Sequence, residues 1–131
     1  MRYLLDTAIF LWSLSEPEKL NKKAQHLLVA GNGELYLSAV SAWEIAIKSE
    51  SGKLRLADPP IDYVLNRIKL LGLRPLQITH VHALSTCGLP PHHQDPFDRL
   101  LIAQARSEDM VVMTADRLFS KYPVQTLWCG Q

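Results

Sequence analysis

Apolar residues fall into two alternating patterns along this chain: short continuous runs, and longer stretches in which they recur every three or four positions. The first pattern belongs to strands buried on both faces, the second to amphipathic helices. Arg2 to Leu5 reads as the first strand and Thr7 to Leu14 as the helix after it, with Ile9, Phe10 and Leu14 spaced for one face. Leu20 to Ala30 forms a second helix through Ala24, Leu27 and Leu28, and Gly31-Asn32-Gly33 stops it before a second strand, Glu34 to Leu37. In the next helix, Val40 to Glu50, the residues Val40, Trp43, Ala46 and Ile47 repeat at three and four, and Gly52 caps its end.

Asp58-Pro59-Pro60 breaks the chain before a helix over Ile61 to Leu71, with Val64, Leu65, Ile68 and Leu71 inward and Arg67 and Lys69 outward. Leu73 to Ile78 is a weaker strand, and Pro75, which cannot donate to a ladder, puts it at a sheet edge. Thr79 caps a short helix over Val81 to Thr86, Leu89 to Gln94 is an irregular prolyl loop, and a strong helix opens at Asp95. Met110 to Met113 and Val124 to Trp128 complete the strands. Strands alternating with helices imply parallel pairing through right-handed crossovers, hence an α/β fold with a sheet covered on both faces. In such sheets the ligand crevice lies beyond the carboxyl ends of the strands.

A length of 131 residues with 47% apolar content suits a single domain over residues 1–131 that buries its own core. The net charge of +1 supplies no sequence-wide basic field, so a nucleic-acid partner must be held locally. Cys87 and Cys129 form no Cys-x-x-Cys pair, which fits a reducing compartment. The run Tyr3-Leu4-Leu5 is cut off by Asp6 far short of a signal-peptide core, and no apolar stretch approaches the ~18 residues of a membrane span. The expectation is a soluble cytoplasmic protein.

Asp6 follows the first strand and Asp116 follows the strand Met110 to Met113, so both stand at carboxyl edges. If these strands are neighbours, the two carboxylates converge; alternatively each only caps the helix that begins there. Asp95-Pro96-Phe97-Asp98-Arg99 reads as a helix start in which Asp95 is the cap and Asp98, at the third position, faces the same rim. Glu44 closes a Ser41-x-x-Glu44 capping-box spacing and has Lys48 four residues on, yet it lies among core-type residues just after the second strand. Asp6, Glu44, Asp98 and Asp116 thus all fall where they could meet. Four carboxylates so close raise one another's pKa unless a cation intervenes. Oxygen ligands select hard ions such as Mg²⁺ or Mn²⁺, which serve phosphodiester chemistry.

The ordered set Leu4-Leu5-Asp6-Thr7, Ser38-Ala39-Val40-Ser41-Ala42-Trp43-Glu44-Ile45, His93-Gln94-Asp95-Pro96-Phe97-Asp98-Arg99-Leu100-Leu101-Ile102-Ala103-Gln104-Ala105 and Thr114-Ala115-Asp116 strongly resembles the PIN-domain ribonucleases, in particular the VapC-type toxins of bacterial toxin–antitoxin pairs. The resemblance covers nearly the whole chain, and Asp-Pro-Phe-Asp-Arg is its most specific piece. It implies a PIN-like three-layer α/β/α fold with a central parallel sheet of four to five strands, and a Mg²⁺- or Mn²⁺-dependent endoribonuclease. Asp6, Glu44, Asp98 and Asp116 would be its catalytic and metal-binding set, with Thr7 and Thr114 orienting the acids or water. Arg99 would contact phosphate or pair with Asp95 or Asp98, and Asp95 would support the site or touch substrate. The substrate would be structured RNA such as tRNA or ribosomal RNA. The partners would be a cognate antitoxin and a second copy of the chain, as a homodimer or a heterotetramer or larger assembly with the antitoxin.

Other readings are weaker. His80, His82, His92 and His93 lack a cysteine pair to complete a zinc site. Arg67, Lys69, Arg74, Lys53 and Arg55 form either an RNA path or a solvated face. Phe10, Trp12, Trp43 and Tyr63 read as core, with Trp12 the best candidate for a partner groove. A phospho-acceptor domain would need paired acids near Asp6, and a dehalogenase-type phosphatase would need an acid where Ala8 stands. The rival from another class is a noncatalytic interaction module whose acids only cap helices.

Overall fold

A computed structural model describes residues Met1–Gln131. Five strands, β1 (Tyr3–Leu5), β2 (Leu35–Ser38), β3 (Arg74–Leu76), β4 (Val111–Thr114) and β5 (Thr126–Trp128), form one sheet in the order β3-β2-β1-β4-β5. Every pairing is parallel. Six α-helices connect them: α1 (Thr7–Ser15), α2 (Lys22–Ala30), α3 (Ala39–Glu50), α4 (Pro60–Leu71), α5 (His80–Leu84) and α6 (Pro96–Glu108). The three-layer α/β/α architecture and the edge position of the proline-bearing β3 are as the pattern implies.

Strand pleating divides the core. Leu5 and Met113 point to the face covered by α1, α2 and α4, where Ile9, Phe10, Ala24, Leu28, Tyr63 and Val64 are buried. Their neighbours Leu4 and Val112 point to the opposite face, covered by Leu101, Ile102 and Ala105 of α6 and by Phe119. The chain runs outward from β1 through β2 to β3, then returns to the other side of β1 for β4 and β5. That reversal opens a crevice at the carboxyl ends of β1 and β4.

Helix positions match the sequence reading better than helix faces do. Leu14 of α1, Trp43 and Ile47 of α3, and Leu65 of α4 were expected inward and are exposed. In α3 the buried residues are instead Val40, Ser41, Glu44 and Ile45. Apolar side chains at positions 40, 42, 43, 45, 46 and 47 surround most of this helix, so their spacing selects no single face. Polar residues at the rim set the rotation. Trp43 packs edge-on against Phe97 of α6 at 5.3 Å between ring centroids, outside the core. The helix begins at Ser38, whose hydroxyl accepts from the Val40 N–H, so Ser41 and Glu44 form no capping box. Both cysteines are free, and no helix is long and apolar enough to cross a membrane.

Candidate active site

Asp6, Glu44, Asp98 and Asp116 line one cavity of about 500 Å³ at the carboxyl rim of the sheet. Each arrives by a different route. The Asp6 N–H donates to the Met113 carbonyl across the β1–β4 pair, which fixes its backbone, and its side chain makes no cap bond to α1. Instead the Thr114 hydroxyl donates to Asp6 Oδ2 at 2.9 Å and accepts the Asp116 N–H at 3.0 Å. One hydroxyl thereby ties the two strand ends together. On α3, Glu44 Oε1 lies 2.7 Å from Thr7 Oγ1, and Ser41 Oγ lies 2.8 Å from the same hydroxyl. A carboxylate only accepts, so Thr7 donates to Glu44 and takes its own hydrogen bond from Ser41.

The capping account holds for two of the acids. Asp95 Oδ1 accepts the N–H groups of Phe97 and Asp98, the role expected for it, and Asp116 Oδ1 accepts the Leu118 N–H. Asp116 does both jobs, since its Oδ2 still faces the cavity. Asp98 caps nothing: seated in the first turn of α6, it turns its carboxylate inward. Glu44 makes the expected pair with Lys48, at 2.5 Å, while remaining 6% exposed, so the surface-pair and site accounts are both true of it.

Arg99 corrects the sequence reading. Its guanidinium bonds neither Asp95 nor Asp98; it donates to the carbonyls of Thr86, Leu89 and Pro90, with Tyr122 Oη at 3.4 Å. A planar fork of donors suits several carbonyls at once, and here it clamps the prolyl loop to α6.

That clamp presents His93, which opens the His93 to Ala105 motif block and, beside His92, reads in the sequence as a weak zinc candidate. His93 Nε2 lies 2.9 Å from Asp98 Oδ2 and 3.0 Å from Asp116 Oδ2. His93, Asp98 and Asp116 each offer a ligand-type atom within 4.8 Å of the others. The available signal was position, two residues before the Asp95 cap. The other histidine in a polar network, His82, is buried and bonded to Glu108 rather than grouped with His80, His92 or His93. Among the basic residues, Lys48 and Lys53 border the cavity, whereas Arg67 stacks 3.5 Å over Tyr63. Trp12 forms part of the cavity wall, with Lys19 over its ring.

Convergence has an electrostatic consequence. Burial, followed by repulsion from Asp6, Asp95, Glu44 and Asp116, pushes Asp98 up to about 8. Burial also pushes Asp6 up to about 6, against the bond from Thr114 and with repulsion from Glu44 and Asp116. Carboxylates so crowded favour neutralisation by a proton or a cation, and an oxygen-rich donor set fits Mg²⁺ or Mn²⁺. A raised folded-state pKa contributes stability that is complete below the unfolded value and is lost as pH rises through the folded one. In EDTA, the part of the melting temperature that Asp98 controls therefore declines between about pH 4 and 8. Calorimetric melting of wild type and Asp98→Asn across that range isolates it; parallel pH profiles for the two proteins would contradict it.

The chain is similar to known proteins over most of its length. The PIN domain family model matches residues 3–125. Ribonuclease VapC22 of Mycobacterium tuberculosis is 30% identical over 115 residues, covering 87% of this chain and 86% of that protein. Ribonuclease VapC16 of the same organism is 46% identical over 48 residues, which span 37% of this chain and only 34% of that protein. The crystal structure of VapBC2 from Rickettsia felis, bound to a DNA fragment from its promoter, superposes with a TM-score of 0.72 at 15% identity, covering 97% of this chain and 98% of that one.

Proposed function

This chain belongs to the PIN domain family, as a VapC-type ribonuclease, and from that premise we propose that it is a Mg²⁺- or Mn²⁺-dependent endoribonuclease that cuts structured RNA, tRNA or ribosomal RNA, as the toxin of a toxin–antitoxin pair. The observation that carries this reading is the convergence of Asp6, Glu44, Asp98 and Asp116 on one cavity, with Asp6 and Asp98 held above the usual carboxylate range. These four would hold the cation. When bound, it supplies positive charge that acidifies water and offsets charge developing at the phosphodiester.

The remaining steps belong to the chain's own groups. Thr114 holds Asp6 and, through the Asp116 N–H, the start of the segment carrying Asp116. Thr7 holds Glu44 Oε1 while Lys48 holds Oε2, so this carboxylate cannot turn away from the rim. Lys53 and Lys48 give the acidic cavity a cationic border, where neighbouring phosphates of an RNA strand meet local attraction that the net charge of +1 does not provide. Asp95 caps α6 and also lines the cavity, where its charge adds to the crowding at Asp98.

The expected partners are a small antitoxin and a second copy of this chain, as a homodimer or a heterotetramer or larger assembly. Support for a covered surface comes from an open apolar groove of about 360 Å³ bordered by Leu14, Leu28, Val29, Leu70 and Leu71. Val29 and Leu70 there are 91% and 74% exposed.

The test is incubation of the purified chain with total cellular RNA, followed by sequencing of fragment ends. Discrete cleavage with Mg²⁺ or Mn²⁺ that EDTA abolishes is expected. Intact RNA, or fragments that form equally in EDTA, would refute the proposal.

A further inference from the structure

His93 is held from three sides. Its backbone N–H donates to Tyr122 Oη at 2.7 Å, its ring packs edge-on against Phe119, and its Nδ1 accepts the Asp95 N–H at 3.2 Å. The last bond decides the chemistry at the other ring nitrogen. An Nδ1 that accepts carries no hydrogen, so the ring hydrogen sits on Nε2. Nε2 then has no lone pair for a cation. What it has is one N–H, which donates to Asp116 Oδ2 at 3.0 Å, with Asp98 Oδ2 2.9 Å from the same nitrogen.

We propose that His93 is a positioning residue of the site, whose Nε2–H bonds Asp116 Oδ2 and holds that carboxylate beside Asp98, so that a divalent cation meets the two already converged. The proposal rests on the metal-dependent reading above and adds a residue to it. Without this donor, Asp116 is free to rotate outward, away from the other acids, and a cation must then gather it again. Each carboxylate oxygen has two lone pairs, so an oxygen that accepts from Nε2 retains one for a cation. The supporting loop has one purpose under this account: Arg99 clamps the carbonyls of Leu89 and Pro90, and Tyr122 and Asp95 then orient the ring.

The test is Mn²⁺ and Mg²⁺ titration by calorimetry on the full chain as wild type, His93→Ala and His93→Gln, with melting in EDTA as the control for folding. His93→Ala is expected to weaken both cations by about 10–100-fold. His93→Gln, which places an N–H donor near the position of Nε2, restores most of the loss. Equal affinity in wild type and His93→Ala overturns the positioning role and leaves the metal site standing. A loss confined to Mn²⁺ that Gln does not rescue overturns it in favour of direct ligation by the ring. A wild type that binds neither cation removes the metal-dependent reading and this proposal with it. Long-range proton–nitrogen spectra of wild type in EDTA give a readout independent of any variant's folding: hydrogen on Nε2 is required, and a bare Nε2 overturns the proposal.

Discussion

Asp98→Asn is expected to abolish RNA cleavage and at the same time to make the metal-free protein more stable. The two effects have one origin. Asp98 is 14% exposed and surrounded by Asp6, Asp95, Glu44 and Asp116, and its carboxyl is pushed up to about 8. At neutral pH, folding must therefore either protonate it or confine its charge. An amide of the same shape has no charge to neutralise, and the His93 N–H keeps its bond to Asp116. The expected gain in EDTA is about 1–3 kcal/mol at pH 7, which for a chain of this size is roughly 5–10 °C in melting temperature. The catalytic loss should reach about a thousandfold or more, beyond the ~10–100-fold typical of removing a supporting partner, because a cation ligand itself is lost. Calorimetric melting and fragment-end sequencing measure the two sides. A variant that cuts RNA at the wild-type rate, or that melts below wild type in EDTA, would break the link between crowding and function.

Topology was legible because strands buried on both faces and helices with a three-to-four repeat leave different marks on a sequence. From β1 ending at Leu5 and β4 ending at Thr114, the rim position of Asp6 and Asp116 follows directly. What periodicity could not supply was rotation. Around α3 the apolar residues form no narrow stripe, and the helix is turned by Glu44 and Ser41 meeting Thr7 at the rim, a contact across 37 residues of sequence in the case of Glu44. Trp43 is exposed for the same reason. For Arg99 the sequence shows the neighbouring acids and not the carbonyls of the folded-back loop that it bonds in place of Asp95 or Asp98. His93 was passed over because its neighbour His92 suggested a metal pair, whereas His92 stacks edge-on against Tyr122 and only His93 reaches the carboxylates.

The same helix that carries Asp98 carries a second polar device, and removing it should produce the largest loss of stability without touching the cavity. Gln104 lies six residues after Asp98, about one and two-thirds turns along α6, and is fully buried. Its Oε1 accepts the Ser38 hydroxyl at 2.5 Å, and its Nε2 donates to the Gln77 carbonyl at 3.1 Å and sits 3.3 Å from His82 Nδ1. One amide therefore joins α6 to the end of β2, the exit of β3 and the start of α5. Gln104→Ala opens a cavity and leaves the Gln77 carbonyl and the Ser38 hydroxyl without this partner. Orphaned buried polar groups cost about 1–3 kcal/mol each, and truncating a buried side chain adds to that, so a total near 3–5 kcal/mol is expected. Gln104→Leu fills the space but still orphans the polar groups, and should recover only part of the loss. Because Ser38 keeps its cap bond to the Val40 N–H, α3 still begins in place and Glu44 stays at the rim. Cation affinity in the folded fraction should then remain within about threefold of wild type, well short of the loss that follows removal of a metal-site partner. Urea unfolding paired with Mn²⁺ titration separates the two quantities. Wild-type stability in Gln104→Ala would show that the network does not hold the layers together. A large fall in Mn²⁺ affinity would show that the two polar faces of α6 act as one.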